Sequence, residues 1–87
     1  MNYENKKIII IDNSNLSYTG EDIDGKIIRG TETSLILLAE QFVKMNIHVD
    51  FCNCIDKYSN VNGVNYFNKN VINIKKNYDL AIVVSDA

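Results

Sequence analysis

The segment Ile8-Ile9-Ile10-Ile11 constrains the fold more than any other part of the chain. Four β-branched residues in succession favour extended backbone. A strand with one wet face alternates apolar and polar residues. This run does not alternate, so it needs cover on both faces, as the central strand of a parallel sheet does. Lys6 and Lys7 lead into it, and Asp12-Asn13-Ser14-Asn15 follow with turn chemistry. A second run of the same kind, Leu80-Ala81-Ile82-Val83-Val84, stands near the other end and is followed by Ser85, Asp86 and Ala87.

Between these runs the pattern changes several times. Asp12 to Gly30 carries Gly20, Gly25 and Gly30 and no clear periodicity. A loop of about twenty residues inside a small domain is a functional or mobile element more often than a plain connection. Thr31 then opens a helical segment, with Leu35, Leu38, Ala39, Phe42 and Val43 on one face and Glu32, Gln41 and Lys44 pointing elsewhere. Thr31 suits the N-cap, Glu32 suits the positive end of the helix dipole, and Asn46 suits a left-handed stop. Ile47, Val49 and Phe51 alternate with His48, Asp50 and Cys52, which predicts a strand with one face less covered. Ser59 to Gly63 reads as a turn and Val64 to Phe67 as a short strand; 69–77 is ambiguous, with room for one helical turn.

This order predicts an α/β chain with a parallel, Rossmann-like sheet: a first βαβ unit plus two further strands. Two strands that need cover on both faces and one good helix do not balance, so the sheet is expected to be incomplete, with the missing cover supplied from elsewhere. With 87 residues and 46% apolar content the chain is one small domain and not a disordered one. A net charge of −2 with scattered lysines gives no basic block, so no nucleic-acid partner is expected from composition. The opening apolar run is too short for a signal peptide or a membrane span, which predicts a cytoplasmic chain and leaves peripheral membrane association open. Cys52 and Cys54 are too few for a disulfide framework, and zinc would need about two more ligands. Free thiols are the expectation, with no metal site and no cofactor held by this chain.

Ligands of open α/β sheets bind at the carboxyl ends of the strands. Here those ends carry Asp12 to Ser17, Cys52 to Asp56, and Ser85 with Asp86. The helix start at Gly30-Thr31 faces the same side, and its free N–H groups suit an anion. Gly30 would let a phosphate approach the backbone, and Arg29, the only arginine, precedes it. The candidate phosphate or substrate-binding residues are therefore Gly30 and Thr31, then Arg29 and Asp12; none is assigned as catalytic.

Arg29-Gly30-Thr31-Glu32-Thr33-Ser34, then Leu37-Leu38-Ala39-Glu40 and Ile47-His48-Val49, resembles the start of GT-B glycosyltransferases. Those proteins often read G-G-x-E, a helix carrying L-A-x-x-L, and a short G-H-x-V strand. Asn62-Gly63-Val64-Asn65-Tyr66 is similar to their G-V-x-Y strand, and Tyr78-Asp79-Leu80-Ala81-Ile82-Val83 to their Y-D-[LIV]-[LIV] segment. The chain departs from the pattern at Arg29, which replaces a glycine, and at Asn46, which replaces the glycine of the helix-to-strand turn. The resemblance implies that residues 1–87 form the acceptor-side part of a larger enzyme whose C-terminal donor-binding domain is absent. It implies a nucleotide-sugar donor, a glycan or lipid acceptor, sugar transfer to a hydroxyl, and no activity for this part alone. Gly30 and Thr31 match the family's glycine loop near the donor diphosphate. Glu21, Asp22 and Asp24 would then either contact acceptor hydroxyls or form a solvated acidic loop.

Three other readings stay open. Ile10-Ile11-Asp12-Asn13-Ser14-Asn15-Leu16 resembles the I-D-G-S-N-L opening of NYN/PIN-like metal-dependent ribonucleases. Ile82-Val83-Val84-Ser85-Asp86 resembles their later V-S-G-D strand end, without its glycine. That resemblance implies a Mg²⁺ shared by Asp12 and Asp86. A haloacid-dehalogenase-type phosphatase also opens with an apolar strand and Asp, but Ser14 stands where its second acid belongs. The third reading is a non-catalytic α/β binding module that completes its sheet on a partner. Tyr18 either stacks on a sugar or base, or packs down. His48, the only histidine, reads as an exposed or edge residue, not as a base.

Overall fold

The computed structural model of the chain describes residues 6–22, 30–70 and 78–84. Strand β1 (Lys7–Asp12) is followed by a single 3₁₀ turn (Gly20–Asp22) and helix α1 (Gly30–Lys44). Then come β2 (His48–Asn53), β3 (Ser59–Val61), β4 (Val64–Asn68) and β5 (Leu80–Val84). The five strands form one sheet in the order β3-β4-β2-β1-β5. β1 pairs in parallel with β2 and with β5, and β2 pairs in parallel with β4. β3 pairs antiparallel to β4, so the sheet is mixed and not purely parallel as expected.

The isoleucine run lies where its composition requires. β1 has a neighbour on each side, and Ile8, Ile9 and Ile10 are buried, with Ile9 and Ile10 at 0% exposure. The core lies between the sheet and α1. Ile8 and Ile10 of β1, Val49 and Phe51 of β2, and Val64 and Tyr66 of β4 meet Leu35, Ile36 and Ala39 of the helix. Phe51 stacks on Tyr66 at 5.1 Å and takes the edge of Tyr18 at 5.7 Å, geometries that add to simple burial.

The buried stripe of α1 is Glu32, Leu35, Ile36 and Ala39, with Phe42 and Val43 packed against the core. These positions follow the i, i+3, i+4, i+7 rule. They correct two expectations: Glu32 points inward and Leu38 is 38% exposed. The helix starts one residue early, at Gly30, so Thr31 is inside the first turn and does not cap it. The stop is as expected. Asn46 is left-handed at φ 63°, with Asn46 N–H on the Val43 carbonyl and Ile47 N–H on that of Phe42. Those two bonds are the Schellman closure.

Three strand expectations also change. β5, expected to need cover on both faces, is an edge strand among the described residues, with Leu80, Ala81 and Val83 exposed. β2 is buried from Val49 to Asn53: Val49 and Phe51 lie in the core with α1, and on the other face partners meet the Asp50 carboxylate. Ser59–Val61, expected as turn, is a strand, and the turn is confined to Asn62 (φ 52°) and Gly63 (φ 85°). Two residues with positive φ make the hairpin turn that asparagine-glycine favours. Gly63 has a second reason to be glycine: a Cβ there would lie 2.6 Å from Cγ1 of Val43 on α1.

Candidate functional site

Because β1, β2, β4 and β5 run in parallel, their carboxyl ends share one side of the sheet. Asp12 is the last residue of β1, and the N–H of Asn13 extends the ladder to the Val84 carbonyl at 2.9 Å. The Asp12 carboxylate is 2% exposed. Its Oδ1 accepts the Ser14 N–H at 2.8 Å, closing an Asx turn, and its Oδ2 accepts the Tyr18 hydroxyl at 2.6 Å. Charge-assisted bonds of this kind are the strong ones, and they hold the carboxylate in one orientation.

The loop after β1 is tied to the ends of the neighbouring strands. Asn53 at the end of β2 donates its side-chain amide to the Tyr18 carbonyl at 2.8 Å and accepts the Ile55 N–H at 3.0 Å. Cys54 N–H donates to the Leu16 carbonyl at 3.1 Å. Lys69, next after β4, donates its backbone N–H to the Asn53 carbonyl at 2.8 Å. Its ammonium donates to the carbonyls of Asn13 and Ser14, each at 3.2 Å.

Tyr18 joins this site to the helix. It is 2% exposed, so packing down is the reading that holds. Burial, then the hydrogen bond to Asp12, then the charges of Asp12 and Glu32 hold its phenol far above the usual tyrosine range. Glu32, 1% exposed in the first turn of α1, thus acts on the same phenol that donates to Asp12.

Among the proposed binding residues, Gly30 and Thr31 share the exposed first turn of α1, while Asp12 is buried at the end of β1. Among the described residues nothing lies within 4 Å of a Cβ built on Gly30. Arg29, Asp24, Ser85 and Asp86 lie outside the described residues. Asp22 accepts the Thr19 N–H at 2.9 Å and holds the 3₁₀ turn. Sequence reasoning missed Glu32, Asn53 and Lys69. The i, i+3, i+4 spacing from Glu32 to Leu35 and Ile36 was a signal for the first. Asn53 falls within the strand-end stretch Cys52 to Asp56 without being singled out, and no local pattern marked Lys69.

A second polar cluster lies on the sheet face opposite α1. Asp50 Oδ1 contacts His48 Nε2 at 2.8 Å and the Asn65 amide at 3.4 Å, and its Oδ2 accepts the Tyr78 hydroxyl. His48 is exposed, as expected, but paired. Both thiols are free; burial first, and then the Asp50 charge, push Cys52 up to about 12. Among the described residues no three His, Cys, Asp or Glu side chains gather as a metal site, and no helix is long and apolar enough to cross a membrane. No protein family, curated protein or solved structure matches the chain.

Proposed function

We propose that the carboxyl-end site performs metal-dependent hydrolysis of RNA phosphodiesters, with Asp12 as its central acid. The observation that carries this reading is the Asp12 carboxylate, buried, held through both oxygens, and placed where β1 and β5 end side by side. A carboxylate fixed before substrate arrives needs no reorganisation when charge develops beside it. The chemistry suits a hard cation: Asp12 is a carboxylate, and Mg²⁺ commonly takes one or two carboxylates and completes its shell with water and phosphate. Asp12 would hold the ion, with Asp86 following β5 in sequence. When bound, the ion would activate water and neutralise phosphate charge. Tyr18 and the Ser14 N–H orient the Asp12 oxygens.

The test is cleavage of a labelled single-stranded RNA with Mg²⁺ or Mn²⁺, comparing the wild-type chain with Asp12→Asn. Asparagine keeps the shape and an acceptor for Ser14, so the fold survives. The expected result is cleavage that needs the metal and falls about 100-fold or more in the variant. Equal cleavage by both proteins, or none by the wild type, would defeat the reading.

A second reading is the acceptor-side, Rossmann-like domain of a GT-B glycosyltransferase. What favours it is the exposed start of α1 at Gly30 and Thr31, where backbone N–H groups suit a donor diphosphate. Saturable UDP- or GDP-sugar binding that is lost in Gly30→Trp, together with no RNA cleavage, would put this reading first.

A further inference from the structure

We infer that Lys69 is a phosphate-binding residue of the carboxyl-end site, contacting the backbone of an RNA strand bound beside Asp12; this rests on the nuclease reading above. Lys69 belongs to no part of the β1 loop, yet its ammonium crosses the end of β2 to reach the carbonyls of Asn13 and Ser14, the two residues after Asp12. Its backbone N–H is also anchored, on the Asn53 carbonyl. The ammonium is therefore held in place, next to the strand end that carries the acid.

Its partners are neutral. Two carbonyl oxygens orient the ammonium without cancelling its charge, and among the described residues no carboxylate pairs with it. An ammonium has three N–H donors, and these two bonds use two of them. A cation held by neutral groups and keeping a donor is equipped for an anion. The other described lysines are placed differently: Lys6 and Lys7 lie at the amino end of β1, Lys44 at the last turn of α1, and Lys57 in the exposed loop after β2. A plain structural clamp on the loop would need the two carbonyl bonds but not the charge. That difference separates the two roles.

The experiment is the affinity of a fluorescein-labelled single-stranded RNA, measured without divalent ions over a series of KCl concentrations. Each phosphate contact from a cationic side chain contributes about 0.7 to the slope of log affinity against log salt for single strands. Lys69→Met should lower the slope by about 0.7, and Lys69→Arg should restore it. Lys69→Gln keeps an amide donor for the carbonyls, so it reads the charge alone should the methionine variant fold poorly; it should lose the same slope. A slope unchanged in both neutral variants, with only the melting temperature lowered, would make Lys69 a clamp and overturn the inference while leaving the nuclease reading in place. A wild type with no salt-dependent RNA binding overturns both.

Discussion

At the scale of single residues, the buried hydroxyls of Tyr18 and Tyr66 make opposite predictions. Tyr18 donates to the Asp12 carboxylate at 2.6 Å, and both side chains are buried. Removing it in Tyr18→Phe takes a hydrogen bond from a buried charge, which costs about 1.5–3 kcal/mol. Tyr66 is as buried, but its hydroxyl has no hydrogen-bond partner among the described residues. The Gly20 backbone approaches it and partly opposes the upward push of burial on this phenol, too loosely to count as a hydrogen bond. Tyr66→Phe should therefore leave stability unchanged or raise it by up to about 1 kcal/mol. Urea denaturation of both variants checks the pair. A Tyr66→Phe loss as large as that of Tyr18→Phe would mean that Tyr66 has a firm partner. Neither difference was legible in the sequence, where both are tyrosines near glycine. The bonding of each is fixed by which strand or helix lies across from it.

At the scale of elements, two glycines separate conformation from contact. Gly63 combines a positive φ with a Cβ that would strike Val43 at 2.6 Å, so Gly63→Ala should cost about 1–3 kcal/mol. Gly30 starts the helix and meets no described residue within 4 Å of its would-be Cβ, so Gly30→Ala should be neutral or stabilise by up to about 1 kcal/mol. Thermal denaturation distinguishes them, and equal effects would contradict the placement of the hairpin turn against α1. The glycine chemistry was partly legible. Asn62-Gly63 announced a tight turn, but its extent was read too widely, since Ser59–Val61 has no strong strand propensity and pairs only because β4 offers an edge. The helix stop at Asn46 was legible because left-handed backbone is a local property. The helix face was misread at Glu32, 1% exposed, because a charge is assumed to seek water.

For the whole molecule, the buried acids predict how stability depends on pH. Cys52 is pushed from an ordinary 9.0 to about 12, mainly by burial, and Tyr18 and Tyr66 are held above their ordinary 10.0 by burial first. In the unfolded chain these groups lose their protons near the ordinary values, while the folded chain keeps them. The unfolded state then binds fewer protons, so stability is intact below about pH 9 and falls as pH rises, by about 1.4 kcal/mol per pH unit for each group involved. The melting temperature should drop steeply between about pH 9 and 12. A flat profile across that window would mean that these phenols and the thiol ionise as freely folded as unfolded.

The sequence by itself determined the strands at Ile8–Ile11 and Leu80–Val84, the existence of the helix, its stop at Asn46, and the placing of Asp12 at a strand end. Each follows from local propensity and from periodicity, which need no partner. It did not determine the strand order, the antiparallel edge, the inward Glu32, or the joining of Asp12, Tyr18, Asn53 and Lys69. Those depend on which residues meet across the sheet after the chain has folded back. Asn53 and Tyr18 are 35 residues apart, and Lys69 and Asn13 are 56 apart. Contacts over such separations are set by packing and by the need to satisfy every buried polar group, and no local pattern encodes them.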